Sequence, residues 1–180
     1  CATAPESKDT DFTWADFQAR NNNELVAIFG NFINRVVVLT NKYWQGVVPS
    51  CNSLEDYDKE ILEKLKEFPD KIGSSIEKYR FREALGELMN LARLGNKYLA
   101  DTEPWKLKKT DEDRTETIMN IAMQIAASLA ILSEPFMPFS SEKLKEILSL
   151  DNVTWNDAGG IIITDEHKIN PATHLFNKIE

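Results

Sequence analysis

Histidine and cysteine are nearly missing from these 180 residues, with two of each. Cys1 and Cys51 sit far apart, and His167 and His174 both lie near the far end. No CxxC pair and no His/Cys spacing is available, so neither a zinc site nor a disulfide framework is indicated. Glycine is thin as well, at seven residues, and none of it is arranged as a phosphate-cradling loop. HExxH, GxSxG and Cys/His arrangements are absent too. With so little imidazole, acid-base chemistry would fall to the 29 carboxylates. These lie on expected solvent faces or at helix starts, and nothing favours an active site assembled from them. Long apolar runs are also lacking. The longest, Ile118 to Leu132, carries Asn120, Gln124 and Ser128 and falls short of the roughly 20 residues a bilayer needs. No signal peptide opens the chain, so the expectation is a reduced, cytoplasmic protein that makes no membrane contact.

Positive charge is in short supply, with a net charge of -8 and a pI near 4.9. Bulk electrostatic adhesion to nucleic acid needs Lys and Arg to neutralise phosphates, and this balance excludes it. The charge is uneven, however. Trp14 to Pro49 holds Arg20, Arg35 and Lys42 against Asp16 and Glu24, a net +1. Arg93 to Lys109 holds Arg93, Lys97, Lys106, Lys108 and Lys109 against Asp101 and Glu103, a net +3, and everything else carries -12. An acidic body with two mildly basic segments suits selective contact at one face.

The remaining pattern is helical. Thr13 with Asp16 three residues on forms a start signal, and Phe17, Leu25, Ile28, Phe29, Phe32, Val36 and Leu39 keep helical spacing up to a stop at Gly46 and Pro49. Ser53 with Asp56 predicts a second helix, ended by Pro69, and a third covers Lys71 to Lys78. A fourth runs from Phe81 to Asp101. Thr110 with Asp113 opens a fifth, which is apolar nearly all round to Ser133, as befits a helix that others surround. Ser140 or Ser141 caps a last helix to about Leu148, and Ile161 to Thr164 is assigned one short strand. Trp14, Trp44 and Trp155 read as packing residues. The expected fold is an all-α helical bundle with an irregular C-terminal tail packed on it. Its parts are an irregular lead-in at 1–12, the bundle at 13–150 and the wrapping tail at 151–180.

Four segments carry a resemblance. Asn22 to Arg35, NNELVAIFGNFINR, resembles the NNELxxxxGNxxNR helix of methionyl-tRNA synthetases, and Asn96 to Lys106, NKYLADTEPWK, resembles the same family's NxYxxxxxPWK. Asp11-Phe12-Thr13-Trp14 is similar to its DFxW, and the ending LFNKIE, Leu175 to Glu180, to its LFxxIE. Together they span nearly the whole chain in the family's order. The resemblance implies a class I synthetase anticodon-binding bundle that reads the CAU anticodon loop of methionine tRNA. Asn31 and Arg35 match the pair that hydrogen-bonds the first anticodon base, and Trp105 matches the aromatic on which that base stacks. Where some members carry a further Asn one turn before Asn31, this chain has Ala27. The family's HIGH and KMSKS signatures are absent and belong to a catalytic module expected to precede Cys1. Aminoacylation, ATP and, where the family has it, zinc are therefore expected there, with no catalytic residue, cofactor or metal in this piece. That module is the second expected partner.

The residue chemistry agrees with those roles. Asn31 and Arg35 are i and i+4, neighbours on one helix face, and Lys42 falls seven residues further on almost the same line. Asn offers a donor and an acceptor, Arg a planar fork and Trp a broad ring face, which are the parts that hold one unstacked base by edge and plane. Lys42 suits a phosphate or solvent better than a base edge. Gly30 marks either a close helix approach or room for a base. Two other readings stand beside this one: the equivalent domain of a Val, Leu, Ile or Cys synthetase, and an acidic protein-interaction module without RNA binding.

Overall fold

The computed structural model describes residues 2–3, 5–6 and 9–180, so the lead-in expected at 1–12 falls partly outside the described residues. Among the described residues the regular elements are all helical: α1 (Trp14–Arg20), a π-helical segment (Asn21–Gly30), α2 (Asn31–Trp44), α3 (Asp56–Glu77), α4 (Phe81–Thr102), α5 (Pro104–Leu107), α6 (Glu112–Leu132) and α7 (Pro138–Ile147), followed by one 3-10 turn at Trp155–Asp157.

The first three elements form one uninterrupted rod, begun where the sequence predicts. The Thr13 hydroxyl accepts from the Asp16 amide at 3.1 Å. The rod ends at Gln45 and Gly46, both in the left-handed region with φ of 54° and 82°. The ten-residue π-helical stretch in its middle was not expected from the 3.6-residue period, and such wide turns collect at functional sites.

Around α6 the other helices assemble the core. Every residue from Thr117 to Ser133 is buried. By length and apolar composition alone α6 could cross a membrane, but it lies inside the bundle. Its three polar interruptions, Asn120, Gln124 and Ser128, form a straight i, i+4, i+8 row. Each fastens an irregular segment to the core. Asn120 donates to the Pro49 carbonyl (2.8 Å), and the Ser128 hydroxyl accepts from the Gly159 amide (3.1 Å). The Gln124 carboxamide accepts from the amides of Ile162 and Ile163 (2.9 and 3.0 Å) and donates to the Ile163 carbonyl (2.7 Å). That side chain takes the place of a neighbouring strand, and the short strand expected at Ile161 to Thr164 is instead irregular, with a bend at Ile163. The one described β-bridge instead pairs Val47 with Lys168.

Several boundaries differ from the sequence expectations for local reasons. Helices two and three are a single α3 that runs through Pro69. Proline removes one backbone donor and crowds the carbonyl four residues back. Here that carbonyl, Leu65 O, and the Pro69 ring face Gly159, whose added Cβ would lie 3.1 and 3.2 Å from them. The tail covers the break. The α3 cap is a Glu55/Asp58 box rather than Ser53. Asp111, not Thr110, caps α6 by accepting from the Arg114 amide (3.0 Å), and Thr110 bonds back to Leu107. The last helix starts at Pro138, whose missing N–H costs nothing at a first turn. Ser141 is buried and donates to the Ala130 carbonyl (2.6 Å). Trp44 and Trp155 do pack against the core. Trp14 does not: it is 77% exposed, edge-on to Phe12 and Phe17 on a helix that buries none of its residues.

Gly95 sets how closely α4 approaches α2. A Cβ there would stand 2.5 Å from the ring of the fully buried Phe32. Gly95→Ala is therefore expected to destabilise by about 1–2 kcal/mol net, since overpacking costs roughly 1–3 kcal/mol and helix propensity returns up to about 1. Urea unfolding with an unchanged m-value checks it.

Candidate nucleic-acid interface

The exposed face of α2 carries Asn31, Arg35 and Lys42 in line. Two different walls flank it. On one side α4 ends at Glu103, a non-glycine residue with φ of 42°, and the chain turns into the short α5. Pro104 is buried there and Trp105 is half-buried. On the other side lies the C-terminal tail, with Phe176 edge-on to Phe29 at 5.8 Å. A Cβ on Gly30 would meet that Phe176 ring at 3.4 Å. The tighter contact is the Leu25 carbonyl of the π-helical segment at 3.1 Å, so Gly30 relieves crowding within the rod while the tail packs over it at ordinary distance.

Trp105 and Arg35 meet across the α2–α5 seam. The guanidinium carbon stands 4.7 Å from the indole centroid, within the range of a cation–π contact. Many basic side chains, such as Lys59, Lys64, Lys66, Lys71, Lys97 and Lys106, are paired with a carboxylate about one turn away. Among the described residues Arg35 has no such partner. Its planar fork keeps its donors while the indole holds it in place.

Asn31 is fixed by a residue the sequence reading passed over. Asn96 donates through its amide to the carbonyls of Ile28 (2.9 Å) and Ala92 (3.1 Å), and its own oxygen accepts from Asn31 at 3.1 Å. With both its donors committed, Asn96 must present its oxygen, which fixes Asn31 with its carboxamide oxygen as the free end. The signal was available, since Asn96 opens the NKYLADTEPWK motif. Asn31, Arg35 and Trp105 thus share one face. Lys42 lies about 10 Å further along the helix at 1.5 Å per residue. It is exposed, with its ammonium 5.5 Å from the Tyr43 ring, and does not reach the Trp105 group.

Two further polar sets frame this face. At its N-terminal end, Asn22 pairs in both directions with the Ile179 backbone (2.8 and 3.0 Å). Gln18 reaches the same Ile179 carbonyl (3.1 Å) and Asn21 reaches that of Asn177 (2.9 Å). The asparagine run is therefore a dock for the tail. At the other end, α3, α4 and α6 are tied around the fully buried Asp58. Its carboxylate accepts from Arg114 (2.5 and 3.0 Å), the Tyr98 hydroxyl (2.6 Å) and the Glu55 amide (2.9 Å). Burial pushes the Asp58 carboxyl upward, but the bonds from Arg114, Tyr98 and Glu55 outweigh it and hold the group below its ordinary value. Burial, then the bond to Asp58, pushes Tyr98 far upward, so it stays a neutral donor. Nearby Tyr57 is raised to about 12 by burial and its bond to Asp101. Tyr98 precedes α5 and Arg114 follows it, so the network clamps both ends of the corner that bears Trp105. Among the described residues no cluster of His, Cys, Asp or Glu is placed to hold a metal ion.

An all-helical bundle that exposes a held amide, an unpaired guanidinium and an indole on one face is built like a reader of unpaired bases. Comparison with known proteins gives the class first: residues 1–37 match the family model of class I tRNA synthetases of the methionine type. Residues 48–180 match the anticodon-binding domain of methionyl-tRNA ligase, and the chain belongs to that family. Among its relatives are methionine-tRNA ligases of Flavobacterium psychrophilum, 62% identical over 99% of this chain and 26% of the relative, and of Cytophaga hutchinsonii, 60% identical over 100% and 26%. This chain thus spans about a quarter of the length of the curated relatives it matches. The fold is that of the apo methionyl-tRNA synthetase of Mycobacterium tuberculosis, at a TM-score of 0.93 and 22% identity, covering 99% of this chain and 37% of that one.

Proposed function

We propose that this domain selects methionine tRNA by reading its CAU anticodon and positions it for ATP-dependent aminoacylation by a catalytic module of the same parent protein. That module would precede the lead-in at 1–12 and hold the methionine and ATP sites, and zinc where such a site exists. The bundle at 13–150, with the tail at 151–180 closing one wall of the site, would be the recognition unit, acting in the cytoplasm.

The observation that carries this reading is the half-buried indole of Trp105 with the guanidinium of Arg35 across it at 4.7 Å. In the complex the first anticodon base stacks on that indole. Arg35 moves from the ring face to the base edge, where Asn31 supplies the second polar contact. A base held this way by plane and edge is the usual mode for unstacked loops. The net charge of -8 repels the rest of the phosphate backbone, so binding is weak, and because few phosphates are neutralised it falls only gently with salt.

A titration with anticodon stem-loops bearing CAU, CUU and GAC tests it. Preference for CAU is the expected result. Preference for GAC or CUU transfers the domain to a different amino acid, and indifference to all three at low salt leaves a protein-interaction module.

A further inference from the structure

The α2–α5 seam carries a second aromatic site beyond Trp105. Lys108, three residues after Trp105, places its ammonium 4.3 Å from the Trp44 ring and 5.9 Å from the Tyr43 ring. Lys42 lies 5.5 Å from Tyr43. The two rings stand edge-on at 5.7 Å and 82° but are not equivalent. Trp44 packs against the core, and its indole N–H donates to Glu116 (3.3 Å). Tyr43 is half-buried without joining the core cluster. Among the described residues its hydroxyl has no hydrogen-bond partner. Neither core packing nor a hydrogen bond accounts for an aromatic at this position. What surrounds its ring is positive charge.

Resting on the anticodon reading above, we propose that Tyr43, flanked by the ammonium groups of Lys42 and Lys108, is a second stacking site for an unpaired nucleotide of the same loop. The nucleobase lies on the phenol ring, and Lys42, for which no carboxylate partner is found among the described residues, meets its phosphate. Lys108 is shared with Glu112 and closes the ring's other side. Combining a ring face with backbone-tracking cations is the general design of single-strand sites. The spacing also constrains the bound strand. Arg35 and Tyr43 are eight residues apart, about 12 Å along α2. That far exceeds one stacked rise of about 3.4 Å, so the two rings cannot hold neighbouring bases stacked on one another. Because every base has a ring face, this site adds affinity without choosing the triplet.

The test uses this chain and the three stem-loops. Tyr43→Ala should weaken CAU, CUU and GAC hairpins alike, by about 5- to 100-fold, with CAU preference intact. Tyr43→Phe should bind like the parent. Lys42→Gln should lower the salt slope by about 0.7. Moving an abasic residue through the loop identifies the occupant: at one position, and not the one that Trp105 serves, the loss from Tyr43→Ala should vanish. If Tyr43→Ala binds within twofold of the parent while Trp105→Ala loses CAU preference, the second site is refuted and the anticodon reading stands. If Trp105→Ala also changes nothing, both fail. Circular dichroism melts guard against unfolding. A Tyr43→Ala variant that melts early is replaced by Tyr43→Leu, for which parent-like affinity refutes the site equally.

Discussion

Asp58→Ala should lower the stability of the bundle by about 3–5 kcal/mol, the usual cost of leaving one member of a buried ion pair alone. The carboxylate is fully buried and binds Arg114, Tyr98 and the Glu55 amide at once. Its removal leaves the fully buried Tyr98 phenol without an acceptor and the part-buried Arg114 with only Glu55, at 3.3 Å, as a partner. The urea midpoint should fall with little change in m-value. A pH dependence follows, with a definite sign. The folded Asp58 carboxyl is held below its ordinary value, which is about 3.9 in an unfolded chain. Between the two values the unfolded chain binds more protons, so stability rises with pH across that window. The contribution is therefore complete above pH of about 4 and is lost as acid carries the folded protein through its depressed value. Asp58→Asn should remove this part of the acid slope and leave the slope above it unchanged.

Trp105→Ala should weaken the CAU hairpin by about 5- to 100-fold, since one base–aromatic stack is worth roughly 1–3 kcal/mol. The loss should be confined to CAU, erasing its preference over CUU and GAC, because the indole holds the base whose edge Asn31 and Arg35 read. Arg35→Lys should lose nearly as much as Arg35→Ala. An ammonium keeps the charge but cannot offer two parallel donors or lie flat on an indole. Asn96→Ala should act through Asn31: it contributes no base contact, yet it frees the amide that it holds at 3.1 Å. Fluorescence-anisotropy titrations at one fixed ionic strength measure all four variants.

The parts of this molecule that the sequence made legible share a physical property: they depend on residues close together along the chain. α4 follows from a sustained 3.6-residue period, the buried α6 from a run that is apolar nearly all round, and the start of the long rod from Thr13 and Asp16. Longer-range physics explains the misses. Pro69 reads as a terminator, and only Gly159, ninety residues away, shows how its break is covered. Asp58 reads as an ordinary helix-start carboxylate, and it is one; its bonds to Tyr98 and Arg114 need the folded chain. Trp14 has the composition of a core residue but sits on a turn of helix that nothing among the described residues covers. Asn120, Gln124 and Ser128 first count as interruptions that exclude a membrane span, whereas the structure makes Asn120 a pin for the segment at Pro49 and the other two pins for the tail. For the candidate site, i to i+4 spacing places Asn31 beside Arg35, but the meeting of Arg35 with Trp105 across seventy residues was available only through the resemblance.

Everything in this account turns on whether a nucleobase occupies the face of Trp105. With Trp14, Trp44 and Trp155 replaced by phenylalanine, the remaining indole becomes a direct reporter. Its emission should be quenched saturably by the CAU hairpin, and quenching should disappear when the first anticodon position is abasic. Unchanged emission while the hairpin is demonstrably bound would place the RNA elsewhere and contradict the account.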